Sequence, residues 1–176
     1  MSIRNYKDHI PNIGKNCFID DSAQVIGQVN IGDNSSVWPL VSIRGDVNSI
    51  RIGKNTNIQD NSVLHVTHEN PQSPAGGFPL DIGDDVTIGH GVILHGCKIG
   101  NHCLIGMGSS VLDGAVVEDN VLVAAGSLVA QNKKVTSGYL WMGRPAKPIR
   151  ELTEDELEWL KYSSQHYVKL KDDYLE

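Results

Sequence analysis

Apolar β-branched and leucine residues recur at every sixth position along most of the chain. The series starts at Ile13 and, with three interruptions, ends at Val135. Its members are all Ile, Val or Leu: Ile13, Ile19, Val25, Ile31, Val37, Ile43, Ile52, Ile58, Leu64, Ile82, Ile88, Leu94, Ile99, Ile105, Val111, Val117, Val123, Val129 and Val135. Because repeats of fixed length build solenoids, this period predicts a parallel β-helix with the apolar side chains in a narrow interior.

Each six-residue unit supplies one short strand and one corner. Gly, Asn and Asp tolerate the backbone angles that such corners need, and glycine often follows the apolar residue, as in Ile31-Gly32 and Ile105-Gly106. Three units close one triangular coil, and successive coils stack about 4.8 Å apart. Every third apolar position therefore lies above the one before it, which places side chains on common faces.

The segment 67–79 interrupts the repeat inside this solenoid. It carries three prolines and two glycines, a composition typical of a loop. Long loops on rigid scaffolds often contribute to functional sites. Two interpretations stay open: a loop that serves a site, and an insertion that the scaffold tolerates.

The pattern divides the chain into three parts. Residues 1–142 form the solenoid domain, residues 143–152 a proline-containing connector and residues 153–176 a helix. Thr153 and Glu156 have the spacing of a capping box, and apolar residues follow at helical spacing. These apolar residues are Leu157, Leu160, Tyr167, Leu170 and Tyr174. We expect this helix to cover one face of the solenoid.

The composition argues against some classes of function. The 176 residues carry a formal net charge of −6, whereas nucleic acids and anionic membranes select basic surfaces. We therefore expect neither as a partner, and no apolar stretch approaches the length of a membrane span. Cys17, Cys97 and Cys103 lack CxxC spacing, so we expect free thiols in a reducing cytoplasm.

Two histidines occupy one column of the repeat. Leu64 and Leu94 hold equivalent positions on successive coils, and each is followed by a histidine, His65 and His95. Arg44 holds the same position one coil earlier. Backbones about 4.8 Å apart bring two imidazoles close enough to share one metal ion. A packed histidine pair without a metal has the same spacing, so both interpretations stay open.

A third histidine occupies the neighbouring column. Asp60 and His90 lie two residues after Ile58 and Ile88, so they also stack. Because this column belongs to another face, we do not expect His90 to meet the other two histidines within one chain. It could meet them across the interface of a threefold oligomer. The remaining histidines are interpreted as structural or solvent-facing: His9, His68, His102 and His166.

Several short motifs accompany these histidines. They are Arg44-Gly45-Asp46, Asn57-Ile58-Gln59-Asp60, Leu64-His65, and Ile88-Gly89-His90 with His95 five residues further on. On these residues the chain resembles, over nearly its whole length, the γ-class carbonic anhydrase family of the hexapeptide-repeat superfamily. Within that family it is similar to the small bacterial γ-carbonic-anhydrase-like proteins. The segment Gly143-Arg144-Pro145-Ala146-Lys147 is also similar, but related acyltransferases share it.

The resemblance implies a left-handed β-helix and a homotrimer with three sites at its interfaces. In each site His65 and His95 of one subunit and His90 of the next would hold zinc, with iron or cobalt as other candidates. Three neutral imidazoles leave such a metal an open position, where bound water loses its proton near neutral pH. The implied reaction is reversible hydration of carbon dioxide to bicarbonate by this metal-bound hydroxide.

The resemblance also assigns roles to neighbouring polar residues. Gln59 would hydrogen-bond the metal-bound hydroxide, and Asp60 would help to orient it or the carbon dioxide. Arg44 and Asp46 would pair across the subunit interface and hold the trimer together.

Two positions depart from the better-characterised members of the family. Val47 follows the Arg-Gly-Asp motif where those members carry an acidic residue, and His68 stands where they carry an acidic proton shuttle. Imidazole exchanges protons near neutral pH, so His68 is itself a candidate shuttle. Tyr162 and Tyr167 are the candidates for the helix residue that lines the site.

Two other functions fit the same fold. A coenzyme-A-dependent acyltransferase would use one histidine as a general base and needs no metal. A non-catalytic binding or assembly protein would keep a metal only to hold the trimer together. Metal analysis distinguishes the acyltransferase from a carbonic anhydrase. A carbon dioxide hydration assay distinguishes the non-catalytic assembly protein from a carbonic anhydrase.

Overall fold

The structure, a computed structural model, describes residues 2–175. Within those residues the chain forms 20 β-strands and one α-helix. In chain order the strands are β1 (Ser2–Arg4), β2 (Asn12–Ile13), β3 (Phe18–Ile19), β4 (Gln24–Ile31), β5 (Ser36–Val37), β6 (Ser42–Ile52), β7 (Asn57–Ile58), β8 (Val63–His65), β9 (Leu80–Ile82), β10 (Thr87–Ile88), β11 (Ile93–His95), β12 (Lys98–Ile99), β13 (Leu104–Ile105), β14 (Ser110–Val111), β15 (Val116–Val117), β16 (Leu122–Val123), β17 (Leu128–Val129), β18 (Lys134–Val135), β19 (Tyr139–Gly143) and β20 (Ala146–Glu151). The helix, α1, spans Glu154–Asp172.

The strands form the three faces of a left-handed parallel β-helix of about eight turns, as predicted. The histidine face consists of β1, the first halves of β4 and β6, and β8, β11, β14 and β17. The second face consists of β2, the second halves of β4 and β6, and β9, β12, β15 and β18. Because β4 and β6 turn the corner, these two faces share one 12-stranded sheet. The helix face is the 8-stranded sheet β3-β5-β7-β10-β13-β16-β19-β20, against which α1 packs.

The apolar positions of the repeat fill the interior. Ile43, Leu64, Leu94 and Val111 pair in register on successive strands of the histidine face, and each is 0% exposed. Burial of one such side chain contributes about 1.5–3 kcal/mol, so this stack stabilises the chain without cross-links. All three cysteines are free, as predicted. Burial raises the pKa of the Cys103 thiol to about 12, which keeps that thiol protonated.

One corner of the solenoid is built from residues with positive φ. Asn34, Asn55 and Asp85 occupy it on successive coils with φ of 60°, 53° and 56°, and their side chains form a hydrogen-bonded ladder. Asn and Asp tolerate this backbone region better than most residues. His102 takes the next position with φ of 52°, and its backbone N–H donates to the carbonyl oxygen of Asp84. His102 is therefore a corner residue.

The segment expected to be a connector contains a strand. β20 pairs antiparallel with β19, so a hairpin joins the solenoid to the helix. Pro148 fits within β20 because this strand lies at the end of its sheet, where one side of the backbone needs no partner. The capping box is confirmed: Glu156 N–H donates to Thr153 Oγ1, and Thr153 N–H donates to the Glu156 carboxylate.

Helix α1 runs back along the helix face towards the N-terminal coils. Ser163 Oγ lies 2.9 Å from Thr87 Oγ1 on β10. Further along, the Tyr167 ring packs edge-on against Trp38 with 5.5 Å between ring centroids. No helix within residues 2–175 combines the length and the apolar character needed to cross a membrane.

Candidate metal centre

His65 and His95 lie side by side on the histidine face. They end β8 and β11, and they pair directly in parallel register, as the repeat predicts. Side chains alternate across a strand, so the inward positions of Leu64 and Leu94 turn both imidazoles outward. His65 Nδ1 lies 3.0 Å from His95 Nε2.

Each of these two imidazoles is hydrogen-bonded to a carboxylate on an adjacent coil. His65 Nε2 donates to Asp46 Oδ1 at 3.0 Å. His95 Nδ1 donates to Asp113 Oδ1 at 2.6 Å. Asp46 belongs to the preceding coil and Asp113 to the following one, so the histidine pair is held from both sides.

These hydrogen bonds decide which nitrogen atoms face each other. A neutral imidazole carries one proton, so the nitrogen that does not donate to a carboxylate has a free lone pair. His65 Nδ1 and His95 Nε2 are then both acceptors, yet they lie 3.0 Å apart. Facing lone pairs repel unless a cation or a shared proton lies between them. Two nitrogens each about 2.0–2.1 Å from one zinc ion lie roughly 3–3.5 Å apart. The spacing of these two nitrogens therefore fits a metal ion bound between them.

Burial favours the neutral form of His65. Desolvation is the largest cause of the lowered pKa of His65, and the charges of Arg44 and His95 act in the same direction. Burial acts to raise the pKa of Asp46, but hydrogen bonds from His65 and Arg44 outweigh it, so that pKa is lowered. A neutral imidazole held by an ionised carboxylate is the state in which histidine binds metals.

Arg44 and Asp46 contact each other within one chain. Arg44 Nη1 forms an ion pair with Asp46 Oδ2 of the same strand, and the expected pairing across a subunit interface stays a prediction. Residues two apart on an extended strand point to the same side, which makes the contact local. Asp46 thus bridges Arg44 and His65, and the Arg44 side chain remains 46% exposed on the histidine face.

His90 lies on another part of the molecule, just after β10 of the helix face. Its Nδ1 donates to Asp60 Oδ2 at 2.9 Å, as expected from the stacking of these two positions. Its side chain is 49% exposed. Within residues 2–175, no three His, Cys, Asp or Glu side chains converge into a group that could hold a metal ion. One chain therefore supplies a histidine pair and, separately, a third histidine.

A chain of hydrogen bonds fixes the orientation of Gln59, which is buried. Asn57 Nδ2 donates to the carbonyl oxygen of Val86 and to Thr87 Oγ1. Because a backbone carbonyl can only accept, Asn57 Oδ1 must be the acceptor for Gln59 Nε2, at 3.1 Å. Thr87 Oγ1 extends the chain to Ser163 of α1. Gln59 Oε1 accepts no hydrogen bond from residues 2–175 and can accept one from a bound molecule.

A cavity of about 460 Å³ lies between α1 and the helix face. Gln59 and His90, together with Tyr167 of α1, line the end of the cavity that lies nearer the N-terminal coils. Its walls are mainly apolar and include Leu104, Leu122, Ala124 and Trp159. The cavity therefore combines a polar end beside His90 with apolar walls along later coils.

The two candidate tyrosines differ in position. Tyr167 lines the cavity, and burial together with the negative charge of Asp60 raises the pKa of its hydroxyl. That hydroxyl therefore keeps its proton at neutral pH and can donate a hydrogen bond. Tyr162 is exposed and stacks between Trp159 and His166 on the outer side of α1. Of the two, Tyr167 is the one beside His90.

The two positions that depart from the family pattern lie at the surface. His68 is the second residue of the 67–79 loop and is exposed, and its backbone oxygen accepts from Asn70 Nδ2. Its imidazole has no hydrogen-bond partner among residues 2–175, so it can exchange protons with solvent. Val47 is 44% exposed. The proton-relay role of His68 stays a prediction.

Asp113 is the site residue that the sequence does not reveal. It lies at a corner, and aspartates at other corners accept from backbone N–H groups of the preceding coil: Asp33, Asp84 and Asp119. The available signal is positional. Val111 stacks on Leu94, so the side chain two residues after Val111 lies close to His95.

Comparison with known proteins identifies the repeat and several relatives. A family model described as "Bacterial transferase hexapeptide (six repeats)" matches residues 11–45, 81–109 and 96–131. The chain is 56% identical over 174 residues to "Protein YrdA" of Escherichia coli, covering 99% of this chain and 94% of that protein. It is 44% identical over 169 residues to "Gamma carbonic anhydrase 2, mitochondrial" of Arabidopsis thaliana, covering 96% and 60%. It is 43% identical over 164 residues to "Carbonic anhydrase" of Geobacillus kaustophilus, covering 93% and 86%.

Solved structures share the fold. A hexapeptide transferase family protein from Anaplasma phagocytophilum is 43% identical with a TM-score of 0.91, and the match covers 98% of both chains. The N-acyltransferase AntD from Bacillus cereus, in a complex with coenzyme A, is 17% identical with a TM-score of 0.70 over 88% of this chain and 90% of that one. At that identity the second likeness concerns the fold alone.

Proposed function

Because the chain belongs to the γ-carbonic-anhydrase-like family of hexapeptide-repeat proteins, we propose that it is a metal-dependent lyase that reversibly hydrates carbon dioxide to bicarbonate. Its site would lie between the subunits of a homotrimer. The observation that carries this proposal is the His65–His95 pair, whose two lone-pair nitrogens face each other at 3.0 Å. A cation bound between the two nitrogens would stabilise that arrangement, whereas the two lone pairs repel when neither a cation nor a shared proton lies between them.

Three histidines would hold the metal. His65 and His95 of one subunit and His90 of the next would bind zinc, with iron or cobalt as the other candidates. A metal ion bound there supplies Lewis-acid activation of water near neutral pH. Each imidazole donates its other N–H to a carboxylate, which keeps the ligand nitrogen free of a proton.

Other residues of the chain would handle the substrate and its protons. Gln59 Oε1, held in a fixed orientation by Asn57, would accept a hydrogen bond from the reacting water. Asp60 would hold His90 by accepting from its Nδ1 and would help to orient the reacting water or the carbon dioxide. Tyr167 would donate a hydrogen bond to bicarbonate, since its hydroxyl stays protonated. His68 would carry protons from the site to solvent.

The surface beside the histidine pair supports assembly. Val63 and Ile93 precede the two inward leucines on β8 and β11, and they are 42% and 44% exposed. The two side chains are neighbours in register, and contiguous exposed apolar side chains rimmed by polar residues are typical of surfaces that contact another protein. We propose that the next subunit of the trimer covers them and brings its His90 to the pair. The three free thiols agree with a reducing compartment such as the cytoplasm.

One preparation tests the proposal. The protein is purified without chelator, and its metal content and its carbon dioxide hydration rate are measured on the same sample. We expect about one metal ion per chain, and hydration that chelation abolishes and zinc restores. Absence of metal would contradict the proposal. Full metal content without hydration would instead favour a non-catalytic assembly protein that is held together by metal.

The cavity favours a second candidate, an acyltransferase that uses coenzyme A. Its volume of about 460 Å³ is far larger than carbon dioxide needs, given that one water occupies about 30 Å³ in the liquid. Apolar walls beside His90 would suit an acyl group, with the imidazole as general base. Saturable binding of coenzyme A to the metal-free protein, seen by calorimetry, would support this candidate. Absence of binding at millimolar coenzyme A would exclude it.

A further inference from the structure

Asp113 uses its carboxylate differently from the other corner aspartates of the solenoid. Its Oδ1 accepts from His95 Nδ1 at 2.6 Å, and its Oδ2 accepts from Thr67 Oγ1 at 2.8 Å. In contrast, Asp119 Oδ1 accepts a hydrogen bond from the backbone N–H of Asn101 at 2.7 Å. Asp113 thus connects two side chains that are far apart in sequence, whereas Asp119 only caps the turn beneath it.

The local backbone leaves room for this contact. Gly96 follows His95 directly and has φ of +52°. A Cβ atom at residue 96 would lie 2.3 Å from Asp113 Oδ1 and 2.7 Å from Phe78 Cβ, well below any ordinary contact distance. Glycine at this position is therefore what allows the Asp113 carboxylate to reach His95.

The base of the 67–79 loop closes around the same carboxylate. Thr67 and Phe78 are joined by two backbone hydrogen bonds of 3.0 and 2.9 Å. Asn48 Nδ2 donates to the carbonyl oxygens of Thr67 and Gly76, at 3.0 and 2.7 Å. The start of the loop is consequently fixed relative to the solenoid, and with it the Thr67 hydroxyl that donates to Asp113.

We propose that Asp113 is a positioning residue for His95, and that Thr67, at the base of the loop, orients the Asp113 carboxylate. The proposal rests on the proposed metal site. A carboxylate that accepts from Nδ1 holds the proton on that atom and leaves the lone pair on Nε2, the nitrogen that faces His65. The loop base thereby sets the tautomer and the ring orientation of one metal ligand.

Zinc affinity measures this role directly. Zinc dissociation constants of the intact protein are obtained by competition with a chromophoric chelator for the wild type, Asp113→Asn, Thr67→Val and Thr67→Ser. We expect Asp113→Asn to weaken zinc binding about 10–100-fold, the usual effect of removing such a partner. Thr67→Val should weaken it less, and Thr67→Ser should restore wild-type affinity because the hydroxyl returns. Asp119→Asn is the matched control and should change nothing.

A second measurement needs no metal. Nitrogen-15 NMR of the chelator-treated protein reports which ring nitrogen of His95 carries the proton. We expect Nδ1–H in the wild type and a mixed population in Asp113→Asn. Equal zinc affinity for Asp113→Asn and wild type, or an unchanged His95 tautomer, would overturn the inference. If His95→Ala binds zinc as tightly as wild type, the proposed metal site fails instead, and the NMR result alone then decides the role of Asp113.

Discussion

The His65–His95 pair and the His90–Asp60 pair come from the same repeat but differ in their surroundings. The first pair is partly buried and held on both sides by carboxylates, and the two nitrogens that do not donate to a carboxylate face each other. His90 is 49% exposed and faces no second histidine. Its imidazole lies instead at the rim of a largely apolar cavity under α1.

This difference suggests how the proposed site would be divided between subunits. In the proposed site a single chain would supply two of the ligands from one face and the third from another face, so neither set would be sufficient alone. Parallel stacking brings equivalent positions together along one face, but it cannot join two faces of the same prism. The proposed site therefore needs a second copy of the chain to bring His90 to the His65–His95 pair.

Loss of a ligand from either part of the proposed site should have the largest effect, and that effect is on metal content. We expect His90→Ala and His95→Ala each to reduce metal content from about one ion per chain to near zero, because catalytic zinc sites use three protein ligands and the loss of one weakens binding strongly. Elemental analysis of purified protein measures this. The control is His102→Asn and not alanine, since residue 102 has φ of 52° and Asn tolerates that corner. Full metal content in His90→Ala would show that the pair alone suffices.

The second-largest expected effect is that of Arg44→Ala on assembly of the trimer. The Arg44–Asp46 contact is half-exposed in one chain, where such a pair contributes about 0–1 kcal/mol. A larger loss can arise only if another subunit buries the arginine. We expect the trimer to dissociate at higher protein concentration in sedimentation experiments. Arg51→Ala is the matched control, because Arg51 pairs with Asp81 on the second face. Equal dissociation constants for both variants would remove Arg44 from the interface.

His68→Ala tests proton transfer between the site and solvent. Metal content should stay unchanged, while hydration turnover at low buffer concentration should fall by up to about 100-fold. Added imidazole should restore part of the rate, because a diffusing base replaces a missing relay but not a structural contact. His9→Ala, also exposed, should show neither effect. Identical turnover of His68→Ala and wild type at every buffer concentration would show that His68 does not relay protons.

The smallest expected effect is the pH dependence of stability on the histidine face. Burial lowers the pKa of His65 in the folded state, so the unfolded chain binds more protons near its ordinary pKa of about 6.5. Stability of the metal-free protein should therefore fall as the pH drops through that value. Urea unfolding between pH 8 and 5 should show a shallower dependence in His65→Gln than in wild type or His166→Gln. An equal pH dependence of the unfolding free energy in all three proteins would contradict the lowered pKa of His65.

Much of this arrangement follows from the repeat, because stacking turns sequence position into spatial position. Counting in sixes places His65 beside His95 and Asp60 beside His90, and the structure agrees. The carboxylate partner of His95 does not follow, since a corner aspartate such as Asp113 has the same sequence signature as Asp119. A glycine faces each of these aspartates, Gly96 beside Asp113 and Gly100 beside Asp119, so what distinguishes Asp113 is its two side-chain donors, His95 and Thr67.

Other features depend on contacts that the period does not encode. The strand β20 lies in a proline-containing segment that reads as a connector, and its pairing with β19 comes from a reversal of the chain. The cavity beside His90 is formed only when α1 packs back over the helix face, through Ser163 and Tyr167. These are tertiary contacts between segments with no common repeat.

The central claim is that each site takes His65 and His95 from one chain and His90 from the next. Mixed trimers of His90→Ala and His95→Ala test it most directly. The two variants are co-expressed with different tags, trimers carrying both are isolated, and their zinc content is compared with that of each variant alone.

A shared site predicts that zinc binding returns in the mixture although neither variant binds zinc alone. In such a mixed trimer one of the three interfaces joins an intact His65–His95 pair to an intact His90, so the isolated mixed trimers should recover roughly one site in three. A site contained within one chain predicts no recovery at all. Mixed trimers with as little zinc as the separate variants would contradict the account.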